Sequence, residues 1–113
     1  MIVQRVEHNR RRLRMLVHVC ETFLERARGL LLRSAPDSET AYLIAPCSRI
    51  HTFGMIFAID VVFCDADDRV VDVVERLRPW HFAGHVAACR VWELPAGSVQ
   101  RLDLRLGDRI TPC

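Results

Sequence analysis

The sequence predicts one mostly β domain, a sandwich or partly closed barrel of about six strands with two short helices. Three observations carry this. Short segments alternate apolar and polar residues, the period of a half-buried strand. Clusters of turn-forming residues separate those segments. No strand alternates with a long helix in the way a parallel α/β sheet requires. With 113 residues, half of them apolar, the chain suits a single domain around one core and should bury about two thirds of its unfolded surface.

Between Leu13 and Cys20 the residues Leu13, Met15, Val17 and Val19 alternate with Arg14, Leu16, His18 and Cys20, which predicts the first strand. Thr22 and Glu25 have the spacing of a capping box, so a short helix is expected from Phe23 to about Arg33, with Phe23, Leu24, Ala27, Leu30 and Leu31 as its apolar stripe. Ser34 to Thr40, with Pro36 and Asp37, reads as a surface connection, and Tyr42 to Ala45 as a short strand. Pro46 to Met55 has neither period and reads as a loop. Phe57, Ile59, Val61 and Phe63 then alternate with Ala58, Asp60, Val62 and Cys64, predicting a central strand from Phe57 to Cys64 that buries those four side chains.

The turn Asp65 to Asp68 leads into a strand from Arg69 to Glu75, completing a hairpin. Pro79 to His85 is a loop carrying Trp80 and His81, and Ala88 to Leu94 is a further strand. After Pro95-Ala96-Gly97, Ser98 is expected to cap a helix of one or two turns through Leu104, Gly107 to end it, and Asp108 to Thr111 to close the sheet.

All 16 basic residues are arginine, which reads as the codon bias of a GC-rich genome rather than as selection for bidentate arginine recognition, and a net charge of +2 does not itself call for a strongly charged partner. The run Arg10, Arg11, Arg12 and Arg14 has the charge of a phosphate-contacting arm, but it lacks interleaved aromatics and any nucleic-acid motif, so it reads instead as a solvated hairpin or strand edge, with no nucleic-acid partner. His18, Glu21 and Glu25 interrupt the apolar stretch after it, which excludes an export signal, and no later stretch is long enough to span a bilayer. A cytoplasmic protein without a membrane partner is expected. Cys20, Cys47, Cys64, Cys89 and Cys113 are odd in number and irregularly spaced, and read as reduced thiols rather than a disulfide framework or a zinc ribbon.

Three blocks resemble a known family: Glu25-Arg26-Ala27-Arg28-Gly29-Leu30-Leu31-Leu32-Arg33; Cys47-Ser48-Arg49-Ile50-His51-Thr52-Phe53-Gly54-Met55 with Ile59-Asp60-Val61-Val62-Phe63; and Val91-Trp92-Glu93-Leu94-Pro95-Ala96-Gly97 with Gly107-Asp108. In this order they are similar to the bacterial and archaeal family called domain of unknown function 192. The resemblance implies a compact, jelly-roll-like β fold with a short helix near its start, and it supplies no catalytic residues. Some relatives carry Trp-Met where this chain reads Phe53-Gly54-Met55, and many carry an export signal that this chain does not show.

The best candidate site is the irregular segment from Cys47 to Asp60, which gathers a thiol, a guanidinium, an imidazole and a hydroxyl beside a hydrophobic strand. Arg49, His51, Thr52, Met55, Asp60 and Trp80 are the candidate binding residues, for an unidentified small molecule or protein. Trp80 with His81 and Phe82 reads as the lining of a pocket or an interface. Set against this is a structural role: His51 and Thr52 bonding the loop's own backbone, and Trp80 acting as a core lid. Asp60 is expected to face solvent or to pair with an arginine such as Arg49 or Arg78. The enzyme alternative makes Cys47 a nucleophile with His51 as base and Asp60 behind it, but no oxyanion donors are evident. Cys47, His51, His81 and Cys89 lack the paired spacing of a metal site, so neither a metal nor another cofactor is expected. The sequence points to a noncatalytic accessory or binding module.

Overall fold

The computed structural model describes residues 2–20 and 39–113. They form β1 (Ile2–His8), β2 (Arg11–Cys20), β3 (Thr40–Ile44), β4 (Arg49–His51), β5 (Ile59–Cys64), β6 (Val70–Leu77), β7 (Phe82–Gly84), β8 (Arg90–Pro95), the short helix α1 (Ser98–Leu102) and β9 (Ile110–Pro112). Seven strands make one sheet in the order β6-β5-β8-β3-β2-β1-β9, curled into a half-barrel, while β4 and β7 pair as a second small sheet. The fold is therefore mostly β and partly closed, as expected. The helix expected from Phe23 to Arg33 lies outside the described residues.

Two apolar clusters sit on the two faces of the large sheet. One takes Val6 from β1, Met15 and Val17 from β2, Val62 from β5, Trp92 and Leu94 from β8, Val99 from α1 and Ile110 from β9. Its members come from both ends of the strand order, which places it on the concave face. The other packs Ile44, Ile59, Val61, Phe63 and Val91 of the large sheet against Ile50 of β4 and the loop residue Met55. The small sheet thus covers the convex face. Complete burial of a side chain such as Phe63 or Leu94 contributes about 1.5–3 kcal/mol. Among the described residues the only parallel pairing joins β2 to β3 and sets His18 beside Tyr42, with the two rings stacked at 4.7 Å.

Several expectations are corrected. All six residues of β5 are buried, because the strand is covered on both faces, whereas Phe57 precedes it and is only half-buried. This strand lies second from the sheet edge, with β3 at the centre. The loops expected over Pro46 to Met55 and Pro79 to His85 contain β4 and β7, paired from Arg49 opposite Gly84 to His51 opposite Phe82. Strand β1 escaped the periodicity because only Val6 among its seven residues is fully buried. Its hairpin with β2 turns at Asn9 and Arg10, so the arginine run is an exposed hairpin, as read from the sequence.

Helix α1 is capped differently from the expectation. Gly97, at φ 90°, is the N-cap, Ser98 is already helical with its hydroxyl donating to the Pro95 carbonyl, and the helix ends at Leu102 with Asp103 in the left-handed region. Among the described residues no helix is long and apolar enough to cross a membrane.

Candidate functional site

The small sheet and the turns beside it form one braced unit, and Thr52 is the brace. It is fully buried. Its hydroxyl donates to the Arg78 carbonyl at 2.6 Å and accepts the His81 amide at 2.9 Å, while its own amide donates to the His81 carbonyl at 2.9 Å and its carbonyl accepts the Trp80 amide at 3.0 Å. A short chain segment after β4 is thereby fixed to the turn before β7. Buried polar groups satisfied this completely hold one geometry rather than several.

On that frame stands a row of rings. Strand β4 directs Ile50 into the core and leaves Arg49 and His51 outside; across from them β7 exposes Phe82 and Gly84. Phe53 lies 4.8 Å from Phe82 in an edge-to-face arrangement, 5.7 Å from Trp80 in a stacked one and 4.9 Å from the His51 ring. Such contacts are worth about 0.5–1.5 kcal/mol per pair. Yet Trp80 remains 68% exposed and Phe82 72%. Trp80 also has φ 66°, a backbone region a bulky residue rarely occupies. Opposite Arg49, a Cβ on Gly84 would lie 3.3 Å from the Arg49 Cβ and Cγ, so glycine leaves room for the arginine stem.

Asp60 is not part of this face. It is fully buried on the side of β5 that carries Val62, with one oxygen accepting the Arg76 amide at 2.9 Å and the other the Val99 amide at 2.8 Å. The expectation of solvent or an arginine side chain is corrected: backbone N–H groups satisfy this carboxylate. Met55 is likewise buried, in the convex core, and offers no surface. Cys47 packs against the convex core and its thiol donates to the Arg49 carbonyl at 2.9 Å; His51 accepts the Phe53 amide at Nδ1 over 3.3 Å. Cys47, His51 and Asp60 therefore do not converge, since the sheet stands between Asp60 and the other two. Burial, reinforced by Asp68 and Asp65, pushes the Cys64 thiol up to about 12, so it is protonated at neutral pH. Among the described residues no three His, Cys, Asp or Glu side chains are grouped to hold a metal ion.

The profile of the family DUF192, described as Uncharacterized ACR, matches residues 4–112. The chain belongs to the DUF192 family. Its sequence is similar to archaeal members called UPF0127 proteins: one from Thermococcus sibiricus is 33% identical over 99 residues, covering 83% of this chain and 64% of the relative. One from Pyrococcus abyssi is 35% identical over 99 residues, covering 83% of each. The DUF192 chain thus spans slightly less than two thirds of the Thermococcus relative. Two bacterial crystal structures share the fold. A Sinorhizobium meliloti 1021 protein, proposed to be a transcription regulator, has TM-score 0.87 at 21% identity over 98% of this chain and 94% of its own. A protein of unknown function from Novosphingobium aromaticivorans has TM-score 0.80 at 19% identity, over 97% of this chain and 84% of its own.

In this DUF192 chain the structure brings Arg49, His51, Thr52 and Trp80 of the sequence-derived site together and removes Met55 and Asp60 from it. The sequence reading weighed Phe82 beside Trp80 and His81 as pocket or interface lining without placing it among the site residues, and it missed Phe53. Their signal was present: aromatic residues in two segments without an apolar period have no core position to fill.

Proposed function

We propose that this chain is a noncatalytic accessory module that docks a protein partner on the aromatic face of the β4–β7 sheet. The observation that carries the reading is Trp80, 68% exposed and held at positive φ by a buried hydrogen-bonded brace. A core lid would be buried, and a ring serving no contact would not be held in so unfavourable a backbone conformation. Trp and Phe beside Arg49 and His51 also match the composition of interface hot spots, where aromatics and arginine dominate. The open face, with Trp80 and Phe82 both mostly exposed, suits a partner's side chains better than a small ligand, which binds in an enclosing cleft. A cytoplasmic setting belongs to this reading and is supported by the odd number and irregular spacing of the five cysteines.

The test is the melting temperature of Trp80→Gly. Glycine relieves the positive φ as the stacking on Phe53 is lost, so the variant should melt within about 2 °C of the parent or above it. A drop of several degrees would make Trp80 a structural lid and remove the basis of the proposal.

A further inference from the structure

Away from the aromatic face, three arginines from distant parts of the chain line one open cavity of about 210 Å³: Arg10, Arg69 and Arg109, with Glu7, Asn9 and Thr111. The backbone brings them there. Arg69 and Arg109 face each other across an isolated antiparallel bridge, and their chain neighbours Val70 and Ile110 fill the core on the opposite side. Like charges placed directly opposite one another are destabilising. Asn9 fastens the hairpin turn to this bridge, its amide donating to the Arg109 carbonyl and its side-chain oxygen accepting the Arg109 amide, each at 2.8 Å. That attachment carries Arg10 to the cavity. Asn9 and Arg10 have φ 49° and 68°, the two central positions of a two-residue hairpin turn in which glycine is the favoured second residue. An arginine is kept where glycine would relax the turn.

Among the described residues no carboxylate lies within ion-pair distance of Arg10, Arg69 or Arg109, and Arg69 is steadied instead by donating to the Gly107 carbonyl at 3.2 Å. Three arginines and Glu7 leave two positive charges in the cavity, the complement of a doubly charged tetrahedral oxyanion. Guanidinium forks bind such groups bidentately, and three forks on separate segments offer more donors than one planar carboxylate can accept. We infer that this cavity is a binding site for a phosphate group, which relieves the repulsion between Arg69 and Arg109.

The test is an amide-resolved NMR titration of the full chain with inorganic phosphate, with a ribonucleoside 5′-monophosphate and with malonate as the carboxylate control, repeated on Arg10→Gly and Arg109→Gln. Saturable shifts are expected at Asn9, Arg10, Arg69 and Arg109 with at least one phosphate probe, and about ten-fold weaker binding of malonate and of each variant. Tighter binding of the nucleotide than of phosphate would identify a phosphate carried on a larger molecule; the reverse would identify free phosphate. Arg10→Gly keeps the outcome interpretable, because relaxing the turn should leave its melting temperature equal to the parent's or higher. Absence of saturable shifts with both phosphate probes, equal binding by malonate or by either variant, or equal shifts at Arg12 and Arg14 would overturn the assignment.

Discussion

The Asp60 carboxylate accepts the Val99 amide at 2.8 Å, so a side chain of β5 caps a helix 39 residues further along the chain. Gly97, the N-cap, has no side chain for the task. The second oxygen takes the Arg76 amide where β6 bulges against β5 and Arg76 has φ 53°. One buried anion therefore satisfies two backbone donors that the fold would otherwise leave unpaired.

Removing that anion should be costly. Asp60→Asn replaces an acceptor by a donor and should lose about 2 kcal/mol; Asp60→Ala leaves both amides unsatisfied and should lose about 3 kcal/mol. Urea denaturation checks this through a lower midpoint at unchanged slope. A loss under about 0.5 kcal/mol in both variants would show that the amides find other partners.

The Asp60 contacts also mark where sequence reading stops. Period and turn chemistry located β2, β3, β5, β6 and β8, because each carries either an alternating face or a dense apolar run between breakers. They could not locate β4 and β7, three residues each, whose pairing depends on contacts between distant segments. Arg49, His51, Thr52 and Trp80 stood out as unusual residues in aperiodic chain, which is why they were the candidates that the β4–β7 pairing could then bring near one another. Assigning Thr52 the brace, and Phe53 and Phe82 the surface, required knowing that the two segments meet. Asp60 was legible as an interruption of an apolar strand, but its partners are backbone amides, which leave no residue-type signal.

Cys64 should make the fold sensitive to alkali. Burial, with help from Asp68 and Asp65, raises its thiol from an ordinary 9.0 to about 12. Below pH 9 the thiol is protonated in both folded and unfolded chains and adds no pH dependence. Between pH 9 and about 12 only the unfolded chain ionises, so stability falls by up to about 1.4 kcal/mol per pH unit from this group. Cys64→Ala should show a shallower decline in melting temperature over that range. At pH 8, iodoacetamide should modify the exposed Cys113 and spare the buried Cys20 and Cys64 until the chain unfolds. Equal rates at Cys64 and Cys113 would contradict the burial.

Asp108 should contribute at the acid end. Burial raises its pKa, but hydrogen bonds from His8 at 2.8 Å, from the Arg105 amide at 2.9 Å and from Asn9 more than reverse this and hold it below 3.8. Its stabilisation is complete above that value and is lost as pH falls through the lower folded pKa. Asp108→Asn should therefore be less stable at neutral pH and lose less on acidification below pH 4 in circular-dichroism melts. An acid decline as steep as the parent's would mean that other carboxylates carry it.

The aromatic face can be tested at the residue that points away from the core. A photo-crosslinking phenylalanine analogue in place of Phe82, introduced in the native host, should give one discrete protein adduct; the same analogue at Val3, 51% exposed on β1, should not. Adding Trp80→Ala should abolish the adduct without unfolding the chain. No adduct from position 82, or an identical pattern from position 3, would contradict the account.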